Sequence, residues 1–149
     1  MRGSLFSAKA EYACIAMLEL AARHGDPAPV RLKAIADGNA IPKRFLVQIL
    51  LQLKGAGLVA STRGASGGYH LARAPEIITL ADIINVIDRS ENPTELRSGS
   101  NGNTPSPLAR GIHGVWVEIL AAQEKILQAT TLSDLLQRVQ LAYDLAYQI

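Results

Sequence analysis

Residues 41–71 read IPKRFLVQILLQLKGAGLVASTRGASGGYHL, and the fold turns on them. Leu46, Ile49, Leu50 and Leu53 recur at three- and four-residue steps, the spacing of one helical face. Pro42 suits the first helical position, where its missing N–H costs nothing, and Gly55 and Gly57 end the helix. Two short extended segments follow, residues 58–63 and 69–72, around the small-residue turn Gly64-Ala65-Ser66-Gly67-Gly68. That pattern predicts a β-hairpin with an exposed tip.

Upstream, residues 7–23 place Ala10, Ala13, Cys14, Met17, Leu18 and Ala21 on one stripe. Ser7 is the expected N-cap, and Gly25-Asp26-Pro27 stops the helix. A short extended piece at 28–30 leads to a second helix at 31–37, with Leu32, Ile35 and Ala36 inward, and a tight turn at 38–40. Downstream, Thr79-x-x-Asp82 is a capping box that opens a helix through Asp88. Residues 89–107 are rich in Ser, Asn, Gly, Pro and Thr and lack apolar periodicity, which predicts a flexible loop. A long helix is expected over 108–128, and a second capping box, Thr131-x-x-Asp134, starts a last helix carrying Leu135, Leu136, Val139, Leu141, Ala142 and Leu145.

Three helices followed by a two-stranded hairpin predict a mainly α fold. It is a winged helix-turn-helix domain with a two-stranded wing (1–88), a loop (89–107), and a long C-terminal dimerisation helix with a further helix (108–149). The competing reading is a plain helical bundle with an appended hairpin.

Composition narrows the function. The chain has 149 residues, 48% hydrophobic and 19% charged, with a net charge of +2. Residues 1–73 carry ten basic and four acidic side chains, a net +6, while residues 74–149 carry five basic and nine acidic, a net −4. A basic first half suits a polyanion partner. No apolar run reaches the length of a membrane span, and residues 1–4 do not resemble a signal peptide, so a cytoplasmic protein without membrane contact is expected. The single cysteine, Cys14, excludes an intramolecular disulfide and a zinc or iron–sulfur site built from several cysteines of one chain. No metal site is expected, and Cys14 reads as an inert core thiol. His24, His70 and His113 are scattered, and no catalytic constellation stands out, so an enzyme is not expected.

The third helix offers Lys43, Arg44, Val47 and Gln48 away from its apolar face, with Lys54 further along. Arg and Lys reach guanine O6 and N7 or phosphates, Gln pairs with adenine, and Val47 suits a thymine methyl. The bland alternative is a solvated face with surface cations. In the hairpin, Arg63 suits a narrow minor groove, and small residues such as Ser66 and Gly67 let backbone approach a phosphate. A nucleotide-phosphate loop is not supported, because no Lys-Ser/Thr follows and no helix opens behind it. In the long helix, Ile112, Val115, Trp116, Ile119 and Ile126, with the polar Gln123 among them, form a stripe suited to a homodimer seam. The alternative is packing on its own domain.

Several segments resemble the Rrf2 family of bacterial winged-helix transcription regulators, which includes iron–sulfur-assembly, nitric-oxide and cysteine-metabolism regulators. They are Ser7-Ala8-Lys9-Ala10-Glu11-Tyr12-Ala13, Ile41-Pro42-x-x-Phe45-Leu46-x-Gln48-Ile49-Leu50, and Gly57-Leu58-Val59-x-Ser61-x-Arg63-Gly64-x-x-Gly67-Gly68-Tyr69-x-Leu71. Ile78-Thr79-Leu80-x-Asp82-Ile83-Ile84 and His113-x-x-Trp116 extend the match over nearly the whole chain.

The resemblance implies a homodimeric repressor or activator on double-stranded DNA, with recognition helices in the major groove and wings in the minor groove. It puts Lys9 and Tyr12 near phosphates, Arg44, Phe45, Val47 and Gln48 near base edges, and Arg63 in the minor groove. Cluster-binding members carry three cysteines before the long helix. Residues 89–107 hold none, and only His113 stands where some members use another ligand. A cluster-free regulator that answers to a small effector or a protein partner is therefore expected. The runner-up is a winged-helix interaction module that has lost specific DNA binding.

Overall fold

A computed structural model describes residues 6–88 and 106–147. The order of elements is α1 (Ala8–Ala22), α2 (Leu32–Asn39), α3 (Lys43–Gly55), β1 (Val59–Thr62), β2 (Gly68–Leu71), α4 (Leu80–Asp88), α5 (Pro107–Ala129) and α6 (Leu132–Tyr147). The fold is the expected winged helix-turn-helix. The expected loop at 89–107 lies outside the described residues except for its end, where Ser106 and Pro107 already cap and open α5.

Alanines let α1 serve as the central helix, because small side chains allow close approach on several sides. Ala10, Ala13, Ala16, Met17, Leu20 and Ala21 are buried, where α1 meets α3, α4, α6 and β2. The stripe is turned from the expected one. Ala16 and Leu20 are buried, whereas Cys14 and Leu18 are only half-buried. Ser7 caps the helix by accepting from the Ala10 N–H at 3.1 Å, and its hydroxyl donates to Asp88 at the end of α4 at 2.7 Å.

The helix-turn-helix forms where α2 reverses into α3. Gly38 and Asn39 remain helical rather than forming the expected turn, and Ala40 makes the reversal alone at φ 53. The Ile41 N–H then returns to the Ala36 carbonyl at 3.0 Å, the long closing bond of a Schellman turn. The end of α3 repeats this device. Gly57 takes φ 79 and the Leu58 N–H reaches the Leu53 carbonyl at 3.0 Å. Pro42 stands at the N-cap rather than the first helical turn, and its carbonyl accepts from Phe45 and Leu46 at 3.1 Å each.

In the wing, β1 and β2 pair antiparallel from Val59 opposite Leu71 to Thr62 opposite Gly68. Val30 adds a third strand of one residue, exchanging two hydrogen bonds of 2.8 Å with Tyr69. The two Thr-x-x-Asp boxes both form and also meet each other, since Thr79 and Thr131 are paired in an antiparallel bridge. Leu132, at the start of α6, is fully buried in the same cluster as the residues of α1 and α3. The first turn of the C-terminal segment thus completes the core of the winged domain.

Candidate nucleic-acid interface

The sequence of α3 sets a buried apolar face against an exposed one that carries its cations and also the apolar Phe45, Val47 and Leu51. Leu46, Ile49, Leu50 and Leu53 are buried, while Lys43, Arg44, Phe45, Val47, Gln48 and Lys54 are exposed. Half of Val47 faces solvent. The first turn of α3 contains no acidic residue. Lys43 and Arg44 therefore add their charge to the positive end of the helix dipole, a combination that disfavours the isolated helix and suits an anion. The Arg44 guanidinium lies 5.3 Å from the centroid of the Phe45 ring, which restrains its side chain over an exposed aromatic face.

On α1, Lys9 and Tyr12 are three residues apart on one helical face, both half-buried, with Tyr12 packed against the core. In the wing, Arg63 and Ser66 are exposed. Gly64 takes φ 110, and the Gly67 N–H donates to its carbonyl at 3.0 Å, closing the tip. Gly67 has a folding reason to be glycine, because a Cβ there would collide with the Thr62 carbonyl oxygen. Gly68 has another, because its Cβ would lie 2.5 Å from the Val30 carbonyl oxygen. Arg31 is one of the ten basic residues of the first half of the chain. In the structure its guanidinium donates to the Ala65 carbonyl at the wing tip at 2.7 Å.

The stripe on α5 is not covered by its own domain. Ile112, Val115, Trp116, Ile119 and Ile126 are between 46% and 65% exposed, and Gln123 is half-buried. Leu127 is the buried residue of α5, packed with Ala81 and Ile84 of α4. The helix is thus anchored at its C-terminal end and presents an apolar face along the rest.

The Rrf2 family, described as an iron-dependent transcriptional regulator, matches residues 6–138. The chain belongs to the Rrf2 family. It is 39% identical over 129 residues to the HTH-type transcriptional regulator CymR of Bacillus subtilis, covering 87% of each chain. Among solved structures, IscR of T. potens superposes with a TM-score of 0.77 at 36% identity, covering 94% of this chain and 91% of that one. The structure of CymR, the global cysteine regulator of B. subtilis, gives a TM-score of 0.72 at 36% identity, covering 91% and 96%. This Rrf2 chain is accordingly a DNA-binding transcription regulator with a winged helix-turn-helix.

The family description raises the question of iron. The full sequence holds one thiol, Cys14, half-buried on α1. Burial, with the nearby Asp88 and Glu11 carboxylates adding to it, raises its pKa to about 11. Among the described residues, no three His, Cys, Asp or Glu side chains group as metal ligands, and His113 is exposed on α5. This donor set does not fit a cluster held by several thiolates of one chain. No helix among the described residues is long and apolar enough to cross a membrane.

Proposed function

We propose that the chain works as a homodimeric repressor that places its two α3 helices in successive major grooves and its wings in the flanking minor groove. Lys43, Arg44, Phe45, Val47 and Gln48 read base edges and adjoining phosphates, Arg63 enters the minor groove, and Lys9, Tyr12, Ser66 and Gly67 line the backbone. Residues 1–88 form the DNA-binding part, and residues 108–149 hold the seam of Ile112, Val115, Trp116, Ile119, Gln123 and Ile126, with 89–107 between them. Two-fold symmetry in the protein then matches two half-sites in the DNA.

The observation that carries this reading is α3 itself, whose first two turns expose two cations, an aromatic ring, a valine and a glutamine beside a buried apolar face. The open stripe on α5 supports the dimer, since an apolar surface of that extent calls for a partner. In this reading the protein carries no iron–sulfur cluster, and its signal is a small effector or a protein partner. Selection of bound duplexes from a random pool tests it. The expected result is an inverted repeat with a fixed half-site spacing; recovery of no common sequence favours an interaction module without specific DNA binding.

A further inference from the structure

Two local rules are broken at residue 31. The N-cap of α2 is Arg31, which makes no side-chain capping bond, and the first turn of the helix contains no acidic residue. Ser, Thr, Asp or Asn would satisfy an orphan N–H there, and a cation at a helix N-terminus opposes the dipole. Such a conflict, which the start of α3 shares, suits a position held for a purpose other than helix stability. The Arg31 side chain turns away from α2 and donates to the Ala65 carbonyl, 34 residues on, at 2.7 Å. The neighbouring backbone supports the same contact. Val30 pairs with Tyr69 through two bonds of 2.8 Å, and Gly68 lies too close to Val30 and Arg31 to tolerate a Cβ.

We propose that Arg31 is a positioning residue for the wing. It braces the wing tip against the start of the helix-turn-helix, and so fixes where Arg63 stands relative to α3. A guanidinium suits the task because its several donors lie in a rigid plane and its charge strengthens the bond to a carbonyl. The brace would set the distance between a major-groove contact and a minor-groove contact, a geometric element of specificity that neither contact has alone. The idea rests on the wing being a DNA contact.

The test is Arg31→Ser, which removes the brace and supplies a capping hydroxyl. The thermal midpoint is expected to hold or rise, while amide exchange at Gly67 and Tyr69 in the free protein speeds up relative to the rest of the chain. Affinity for a duplex selected by the parent protein should fall about fivefold or more, but less than about twofold when Arg63→Ala is already present, the non-additivity of coupled residues. An equal loss in both backgrounds would mean that Arg31 touches DNA by itself and would overturn the proposal. So would unchanged exchange at the wing, or a lowered midpoint with exchange raised throughout. Faster exchange at the wing in a protein whose parent binds no duplex would uphold the brace and refute the wing as a DNA contact.

Discussion

Thr79 and Thr131 face each other across an antiparallel bridge while each caps its own helix. The Leu80 N–H donates to the Thr130 carbonyl and the Leu132 N–H to the Ile78 carbonyl, both at 2.9 Å. Two helix starts far apart in sequence are joined at one point, and the joint brings Leu132 into the core. Thr79→Ala or Thr131→Ala should each destabilise the protein by about 1 kcal/mol, and the pair should be non-additive because the sites touch. Asp134 adds a pH dependence. Hydrogen bonds from the Thr131 N–H and then its hydroxyl hold the Asp134 carboxyl below its usual 3.8. A depressed pKa contributes stability above the unfolded value, and that contribution is lost as pH falls through the folded one. Urea unfolding between pH 5 and 2 should show this acid-side loss reduced in Asp134→Asn.

Ala40 and Gly57 close the same kind of turn with different residues, at φ 53 and φ 79. A left-handed alanine is strained by roughly 1–2 kcal/mol, partly offset by its smaller loss of chain entropy. Ala40→Gly should therefore raise stability by up to about 1 kcal/mol, and Gly57→Ala should lower it by at least as much. Thermal unfolding of the two variants checks the opposite signs.

The turn before α3 was legible only in part, since Gly38 and Asn39 remain helical and Ala40 makes the reversal alone. The apolar spacing of α3, the capping boxes and the glycines of the wing each carry a local rule, so the element order followed from the chain. The pairing of Thr79 with Thr131, the single bridge at Val30 and the reach of Arg31 to Ala65 depend on the distant partner, and local patterns hold no trace of them. Ala16 and Leu20 lie on a buried face turned from the stripe that the spacing suggests, because its direction is set by the packing of α3, α4, α6 and β2 around α1. The exposed face of α3 was legible for the opposite reason: a lysine, an arginine and a glutamine cannot join the apolar side.

Cys14 should behave as a protected thiol. Its pKa, raised from 9.0 to about 11, means the folded protein holds the proton where the unfolded chain has released it. The contribution to stability is full below pH about 9 and is lost as pH rises towards about 11. Alkylation by iodoacetamide at pH 8 is expected to be much slower in the native protein than in urea, because only the thiolate reacts. The native rate should climb as pH approaches the raised pKa, and Cys14→Ala should flatten the alkaline fall in stability.

Ile119 lies about half exposed in the middle of the α5 stripe. A carboxylate buried there in a dimer would lack a partner, a penalty of about 3–5 kcal/mol. Ile119→Glu should sediment as one chain of 15.9 kDa, with the parent at twice that mass, and its circular dichroism should remain helical. The variant should also bind a single half-site no worse than the parent, since α3 is untouched.

Reading of DNA by sequence through α3 and the wing is measured by fluorescence anisotropy on a selected duplex and its scrambled counterpart, titrated across salt concentrations. The expected result is tighter binding to the selected duplex at every salt concentration, with affinity falling linearly on a log–log plot as counterions return. Arg44→Ala and Gln48→Ala should narrow the gap between the duplexes, and Arg63→Ala should weaken binding by about 1–3 kcal/mol. Equal affinity for the two duplexes at low salt, unchanged by Arg44→Ala, Gln48→Ala or Arg63→Ala, would contradict reading of DNA by sequence.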